Sequence, residues 1–298
     1  MRDQDFTRTR KQPFVATLLL MLNLLRKSLV VEIDGFVRHL NEKLSSRNTQ
    51  DFTSSAFIQN RNKIKPEVFN YLSQVIVENF YTQENSNLKL FNGFRILGVD
   101  GMNITLPFTQ ALKKRYGEVK NQTDTVVVQA RASVLYDVLN RLALDSVLES
   151  TSVGERELAL RHSVQWREND LIIYDRGYPS YDFIHEHIKG DVAYLIRVKT
   201  THSSVVKAFV ESGKKTKVTA ILPKENQSFK DKGYDKDSKI TLRLVRIDLP
   251  GGEVEVLMTS LLDSQKFPSK IFKELYFLRW KIETFYDELK NKLKVEHF

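Results

Sequence analysis

At 298 residues the chain has room for one large domain or two smaller ones, and 41% hydrophobic with 28% charged residues is the composition of a globular protein with a core of useful size. The absence of cysteine excludes disulfides and every cysteine-containing zinc site. A formal net charge of +9, from 46 Lys and Arg against 37 Asp and Glu, favours a polyanionic partner, with nucleic acid ahead of an anionic membrane surface.

The chain opens on a helical stretch. The run FVATLLLMLNLL, 14–25, is too short for a bilayer span of roughly 20 residues. Arg8, Arg10 and Lys11 precede it as they would in a signal peptide, but no small-residue cleavage site follows, so a buried amphipathic helix is expected. In SSAFIQNRNKIKPEVFNYLSQVIVENFY, 54–81, Ser54 or Ser55 can cap a helix that carries Arg61 and Lys63, and Pro66 sits in the favoured first turn of a second helix. The pattern suits a DNA-docking helix-turn-helix or, equally, an αα-hairpin with a solvated basic face.

After a polar connector, 83–93, the texture becomes that of strands. FRILGVDGMNITLP, 94–107, is one strand, and 129–150 reads as two more joined near Leu139 and Asn140. A helix over 154–164 leads to an apolar strand in DLIIYDRGYPS, 170–180, then to a helix stopped by Gly190 and a strand over 191–200. Residues 201–252 are rich in Lys, Ser, Gly and Asp around short β-like pieces, and are predicted to be a β-rich basic insertion. A strand over 253–262 and a final helix follow. The predicted fold is an α/β mixed sheet, its first three strands in meander order, compatible with a ribonuclease H-like core.

Asp100 in GVDGM and Asp175 in IIYDRGY are each expected at the end of an apolar strand, with a glycine one or two residues on. A carboxylate there is costly without a partner. Two on adjacent strands resist joint ionisation unless a divalent cation relieves them, and Mg²⁺ prefers such oxygen ligands. Asp137, Asp145, Asp170 and Asp182 are rivals, since Asp also serves turns. The predicted helix over 276–290 brings Tyr276, Arg279, Glu283 and Lys290 within an arc of about 80°. That face offers an acid for a metal together with two cations and a phenol for phosphate oxygens. It is equally consistent with a surface Arg279–Glu283 pair worth about 0.2–0.5 kcal/mol. Asp287 lies on the same face, so spacing does not choose between it and Glu283. Trp166, Trp280, Phe285 and Leu289 are read as packing residues, and His185 and His187 as a solvated helix face rather than a metal site.

The tyrosine, arginine, glutamate and lysine at 276, 279, 283 and 290, with VDGMNITLP, YDRGYPSYDFI and SAFIQNRNKI, resemble the DDE transposases of bacterial insertion sequences, in particular the insertion-sequence-four group. The resemblance runs across nearly the whole chain. It implies a ribonuclease H-like catalytic core with a β-rich insertion, and it selects Glu283 over Asp287. It further implies that Asp100, Asp175 and Glu283 are the catalytic residues and bind two Mg²⁺ or Mn²⁺ ions. Tyr276, Arg279 and Lys290 would contact DNA phosphates, with Arg61 and Lys63 adding affinity from the helical region. The expected division is an N-terminal helical DNA-binding domain (1–90), a first part of the core (91–200), the insertion (201–252) and a second part with the Glu helix (253–298). The expected partners are double-stranded DNA, as terminal inverted repeats and target, and a second copy in a synaptic homodimer, with no membrane; the expected setting is the bacterial cytoplasm, at the nucleoid. Family members continue with further helices beyond the Glu helix, so the chain is also expected to be a shortened copy. The alternatives are a catalytically silent DNA-binding remnant and a plain metal-dependent DNA nuclease.

Overall fold

The structure is a computed structural model that describes residues 12–23, 27–43, 51–82, 87–120, 124–224, 231–235, 237–293 and 295. The basic positions Arg8, Arg10 and Lys11, part of the connector 83–93 and the stretch 225–230 lie outside the described residues. The chain divides into two compact units, Met1–Ile76 with Leu289–Phe298, and Val77–Glu288.

The first unit is helical, with α1 (Phe14–Leu22), α2 (Leu29–Lys43), α3 (Ser54–Arg61) and the start of α4 (Glu67–Thr82). Its core is built at helical spacing: Ala16 and Leu20 on α1, Ile33, Phe36 and Val37 on α2, and Phe52 and Phe57 at and before α3. The cap of α3 is Thr53, whose hydroxyl accepts from the Ala56 amide, rather than Ser54 or Ser55. No helix among the described residues is long and apolar enough to cross a membrane.

The second unit is a mixed α/β domain around a nine-stranded sheet. Its strands are β1 (Arg95–Leu106), β2 (Val119–Lys120), β3 (Val126–Asp137), β4 (Leu142–Ser150), β5 (Asp170–Tyr174), β6 (Ala193–Val198), β7 (Thr216–Ile221), β8 (Ile240–Asp248) and β9 (Val254–Thr259). Their order is β2-β3-β1-β5-β6-β9-β8-β7, with β4 paired to β3. The β1, β3 and β4 run is the expected antiparallel meander, and β5 and β6 add to β1 in parallel. β7 and β8 are not a separate body. They extend the same sheet through β9, antiparallel throughout. The helices α5 (Gln110–Tyr116), α6 (Glu155–Arg161), α7 (Tyr181–Lys189) and α8 (Ser204–Glu211) lie between strands in the chain. Leu97, Ile172, Tyr174, Tyr194 and Leu244 from the strands meet Phe183, Ile184, Val206 and Phe209 from α7 and α8 in the core.

Two expectations about strand ends change. β1 matches the predicted 94–107 run, so Asp100 lies within the strand and not at its end, because β3 pairs with β1 from Leu97 to Leu106. β5 ends at Tyr174, earlier than the predicted strand, and leaves Asp175 as the first residue beyond it.

The rival aspartates have structural partners. Asp137 is fully buried and closes the 138–141 turn, accepting from the Leu139 and Asn140 amides and from the Tyr81 hydroxyl at 2.5 Å. Asp170 forms a buried bidentate pair with Arg95, and Asp145 pairs with His162 at 2.7 Å.

His187 is not on a solvated face; it is fully buried. Its Nδ1 donates to the Phe183 carbonyl at 2.7 Å and its Nε2 accepts from the Tyr174 hydroxyl at 2.8 Å, which fixes a neutral tautomer. Burial pushes its imidazole down to about 4, against the hydrogen bond to Phe183. The ordinary histidine value is higher, so below about pH 6.5 the unfolded chain binds a proton that the folded chain refuses. Stability is therefore lost as the pH falls from about 6.5 to about 4, by roughly 3 kcal/mol from this group. In urea unfolding across this range the midpoint of the native protein is expected to drop more steeply than that of His187→Gln. Parallel curves would rule the group out.

Candidate active site

Parallel pairing sets Gly98 of β1 opposite Ile173 of β5. Two residues further along each strand, Asp100 and Asp175 leave the pairing at the same level. β1 continues there against β3 while β5 has ended, which opens a gap beside Asp100 at the carboxyl end of β5. Such a gap is where ligands enter open α/β sheets.

The third carboxylate comes from the C-terminal helices, α9 (Ile271–Phe277) and α10 (Trp280–Asp287), followed by a π-helical turn, Glu288–Lys292. The single helix predicted over 276–290 is thus interrupted. Leu278, Arg279, Lys281 and Ile282 all donate to the residue three back, which tightens the backbone at the junction before the π turn loosens it. A uniform 100° step does not describe this segment, and the predicted arc is replaced by the observed contacts. Ile282 is fully buried, close above Gly98. One turn on, the Tyr286 hydroxyl donates to the Asp100 carbonyl at 2.6 Å. These two anchors hold α10 on β1 and bring Glu283 to Asp100.

Arg279 Nη1 lies 2.5 Å from Glu283 Oε1 and 4.0 Å from Asp100 Oδ2. This pair is no surface decoration, since Arg279 is 5% exposed, with its guanidinium over the Tyr276 and Trp280 rings. The Tyr276 hydroxyl donates to Asp175 Oδ1 at 3.4 Å, and Arg197 on β6 approaches the same oxygen at 3.3 Å while bridging to Glu255 at 2.5 Å. Burial pushes the Asp100 carboxyl up to about 6; Glu283 and Asp175 push the same way, against the Gly101 amide and Arg279. Burial also raises the Tyr276 hydroxyl, which stays protonated.

The structure therefore brings Asp100, Asp175, Glu283, Tyr276 and Arg279 to one place. Arg61, Lys63 and Lys290 belong to the other compact unit. Arg61 ends α3 with its guanidinium 6.0 Å from the Phe57 ring, Lys63 donates to Asn60 Oδ1 at 2.9 Å, and Lys290 lies in the π-helical turn. Trp280, expected in the core, is half exposed, whereas Phe285 stacks on Tyr136 at 4.6 Å. Sequence reasoning missed Arg197; its one signal is a lone cation in the apolar strand next to the one that ends before Asp175.

The donor set is all oxygen and includes a desolvated carboxylate repelled by two others, which fits a hard dication. Among the described residues no three acidic or histidine side chains already stand as a ligand group. The Arg279 guanidinium holds Glu283 through its Oε1.

A family model described as a transposase DDE domain matches residues 92–298. Among solved structures, the piggyBac transposase in a synaptic complex with hairpin DNA is 11% identical with a TM-score of 0.44, over 97% of this chain and 61% of that one. The NurA nuclease from Sulfolobus solfataricus is 12% identical with a TM-score of 0.32, over 74% of this chain and 91% of that one. The chain thus spans about three fifths of the piggyBac chain, and at these scores neither likeness bears on function. No curated protein matches. The chain belongs to the transposase DDE domain family.

Proposed function

We propose that the protein is a DNA transposase of the insertion-sequence-four group, with a ribonuclease H-like core that cleaves the ends of its element and joins them to target DNA. The observation that carries this reading is the convergence of Asp100, Asp175 and Glu283, bridged by Arg279 and Tyr276, in which Asp100 is half-buried and feels both other carboxylates. Asp100 and Asp175, with Glu283 once released from Arg279, are the ligands for two Mg²⁺ or Mn²⁺ ions. When bound, such ions activate a water or 3′-hydroxyl as nucleophile and stabilise the leaving oxygen.

The chain's own residues position and neutralise. Ile282 and Tyr286 fix the Glu283 helix on β1. Tyr276 and Arg197 orient Asp175. Arg279 balances the acids and is placed to meet a phosphate brought to them. Lys290, Arg61 and Lys63 contribute phosphate contacts of low sequence specificity. A synaptic homodimer on two DNA ends, acting at the bacterial nucleoid, completes the reading.

The test is incubation of the full chain with duplexes carrying the inverted repeats that flank its gene, in Mg²⁺, Mn²⁺ or EDTA, together with a target plasmid. Metal-dependent nicking followed by joined products is expected. Nicking without joined products would reduce the protein to a nuclease, and no cleavage in either metal would leave a silent DNA binder.

A further inference from the structure

A fourth carboxylate stands beside the cluster. Glu155 is the first residue of α6, whose Leu158 and Ala159 are fully buried. A methyl group placed on Gly101 would stand 3.6 Å from Glu155 Cγ and 4.0 Å from its Cδ; one on Gly177 would stand 3.9 Å from its Oε2. The Glu155 side chain thus lies within van der Waals reach of the glycines that follow Asp100 and Asp175. Arg156 fixes the approach by donating to the Gly177 carbonyl at 3.0 Å. Glu155 is exposed, and among the described residues its carboxylate makes no hydrogen bond or ion pair, although Arg156 is its neighbour and its helix mate Glu157 pairs with Arg161.

A second, independent observation comes from Tyr178. It is 2% exposed, and its hydroxyl has no hydrogen-bond partner among the described residues. The charges acting on that hydroxyl are those of Asp100, Glu155 and Asp175, with Tyr286. A buried hydroxyl that feels three carboxylates and bonds none of them calls for a missing partner, and an ordered water or ion is the usual one.

We infer that Glu155 is a fourth carboxylate of the divalent-cation centre, and that the Tyr178 hydroxyl bonds the water shell of the bound ion. The inference rests on the reading of Asp100, Asp175 and Glu283 as dication ligands. Groups of this outer kind commonly change metal affinity by about 10–100-fold.

The test is Mn²⁺ binding to the full chain without DNA, read as free Mn²⁺ by electron paramagnetic resonance and as the rise in melting temperature on adding Mn²⁺. Glu155→Gln and the shorter Glu155→Asp are expected to weaken binding about tenfold or more. Tyr178→Phe is expected to melt no lower than the native chain without Mn²⁺, and to gain less on its addition. Glu157→Gln, on the same helix, is expected to match the native chain, and Asp100→Asn to lose binding. Native affinity in both Glu155 variants, with binding lost in Asp100→Asn, would overturn the inference and spare the three-carboxylate reading. Native affinity in Asp100→Asn would overturn both.

Discussion

Asp100→Asn is expected to reduce nicking at the element's ends by about a thousandfold or more, roughly 4 kcal/mol of transition-state stabilisation, with end-binding changed by less than about twofold. The asymmetry follows from placement. Asp100 is partly buried in a strand, its carbonyl taken by Tyr286 and its Oδ1 by the Gly101 amide, so the isosteric amide keeps the backbone and the volume. What it removes is one negative charge from a cluster of three. On the proposed function, binding along the duplex rests instead on cations such as Arg61, Lys63 and Lys290, which the substitution does not touch. Arg279 loses part of its balance and stays paired with Glu283 at 2.5 Å. Gel-shift affinity and single-turnover nicking, measured on the same preparation, separate the two. Nicking that persists at the native rate would remove Asp100 from the mechanism.

The sequence disclosed the strands that lead to Asp100 and Asp175 because both are apolar runs broken by glycine, whereas helical spacing left Glu283 and Asp287 open and only the family resemblance selected Glu283. It did not disclose that Asp100 lies inside its strand and not at the end of it. β1 outlasts Asp100 only because β3, some 30 residues later, supplies a pairing partner, and a local pattern holds no such information. Nor could a fixed helical step foresee the tightened junction at Leu278–Arg279, or that in the supposed surface pair Arg279 is buried while Glu283 is half-exposed. The rival aspartates were indistinguishable by local context. Asp137 and Asp170 are explained by Tyr81 and Arg95, partners 56 and 75 residues away in the chain. The two strands of 201–252 were visible, but their membership of the main sheet depends on β9, which comes after them. Glu155 carries no motif. Only the folded proximity of Gly101 and Gly177 sets it apart from the other acids of its helix.

Asp170→Asn is expected to be the most destabilising of the substitutions considered, at about 3–5 kcal/mol, and Arg95→Met to cost a similar amount. Asp170 is 1% exposed and Arg95 7%, and their two hydrogen bonds are 2.6 and 2.8 Å long. Asp170 Oδ2 also accepts from the Arg167 amide at 2.8 Å, and the Arg95 guanidinium lies 4.8 Å from the Tyr81 ring centre. Removing either charge leaves the other buried with no counter-ion, and this penalty, more than the worth of the pair, sets the size of the effect. Replacing both at once, as Arg95→Met with Asp170→Leu, is therefore expected to cost much less than the sum of the single changes. The pair also bears on the site. Arg95 and Asp170 stand opposite each other at the start of β1 and β5, and the same two strands deliver Asp100 and Asp175 five residues later. A slip of one residue would shift one carboxylate by about 3.3 Å and turn its side chain to the other face of the sheet. The clamp at one end thus holds the register that aligns the acids at the other. Urea unfolding gives the stability of the three variants. Single variants that unfold at the native urea concentration would show that apolar packing alone keeps β1 and β5 in register.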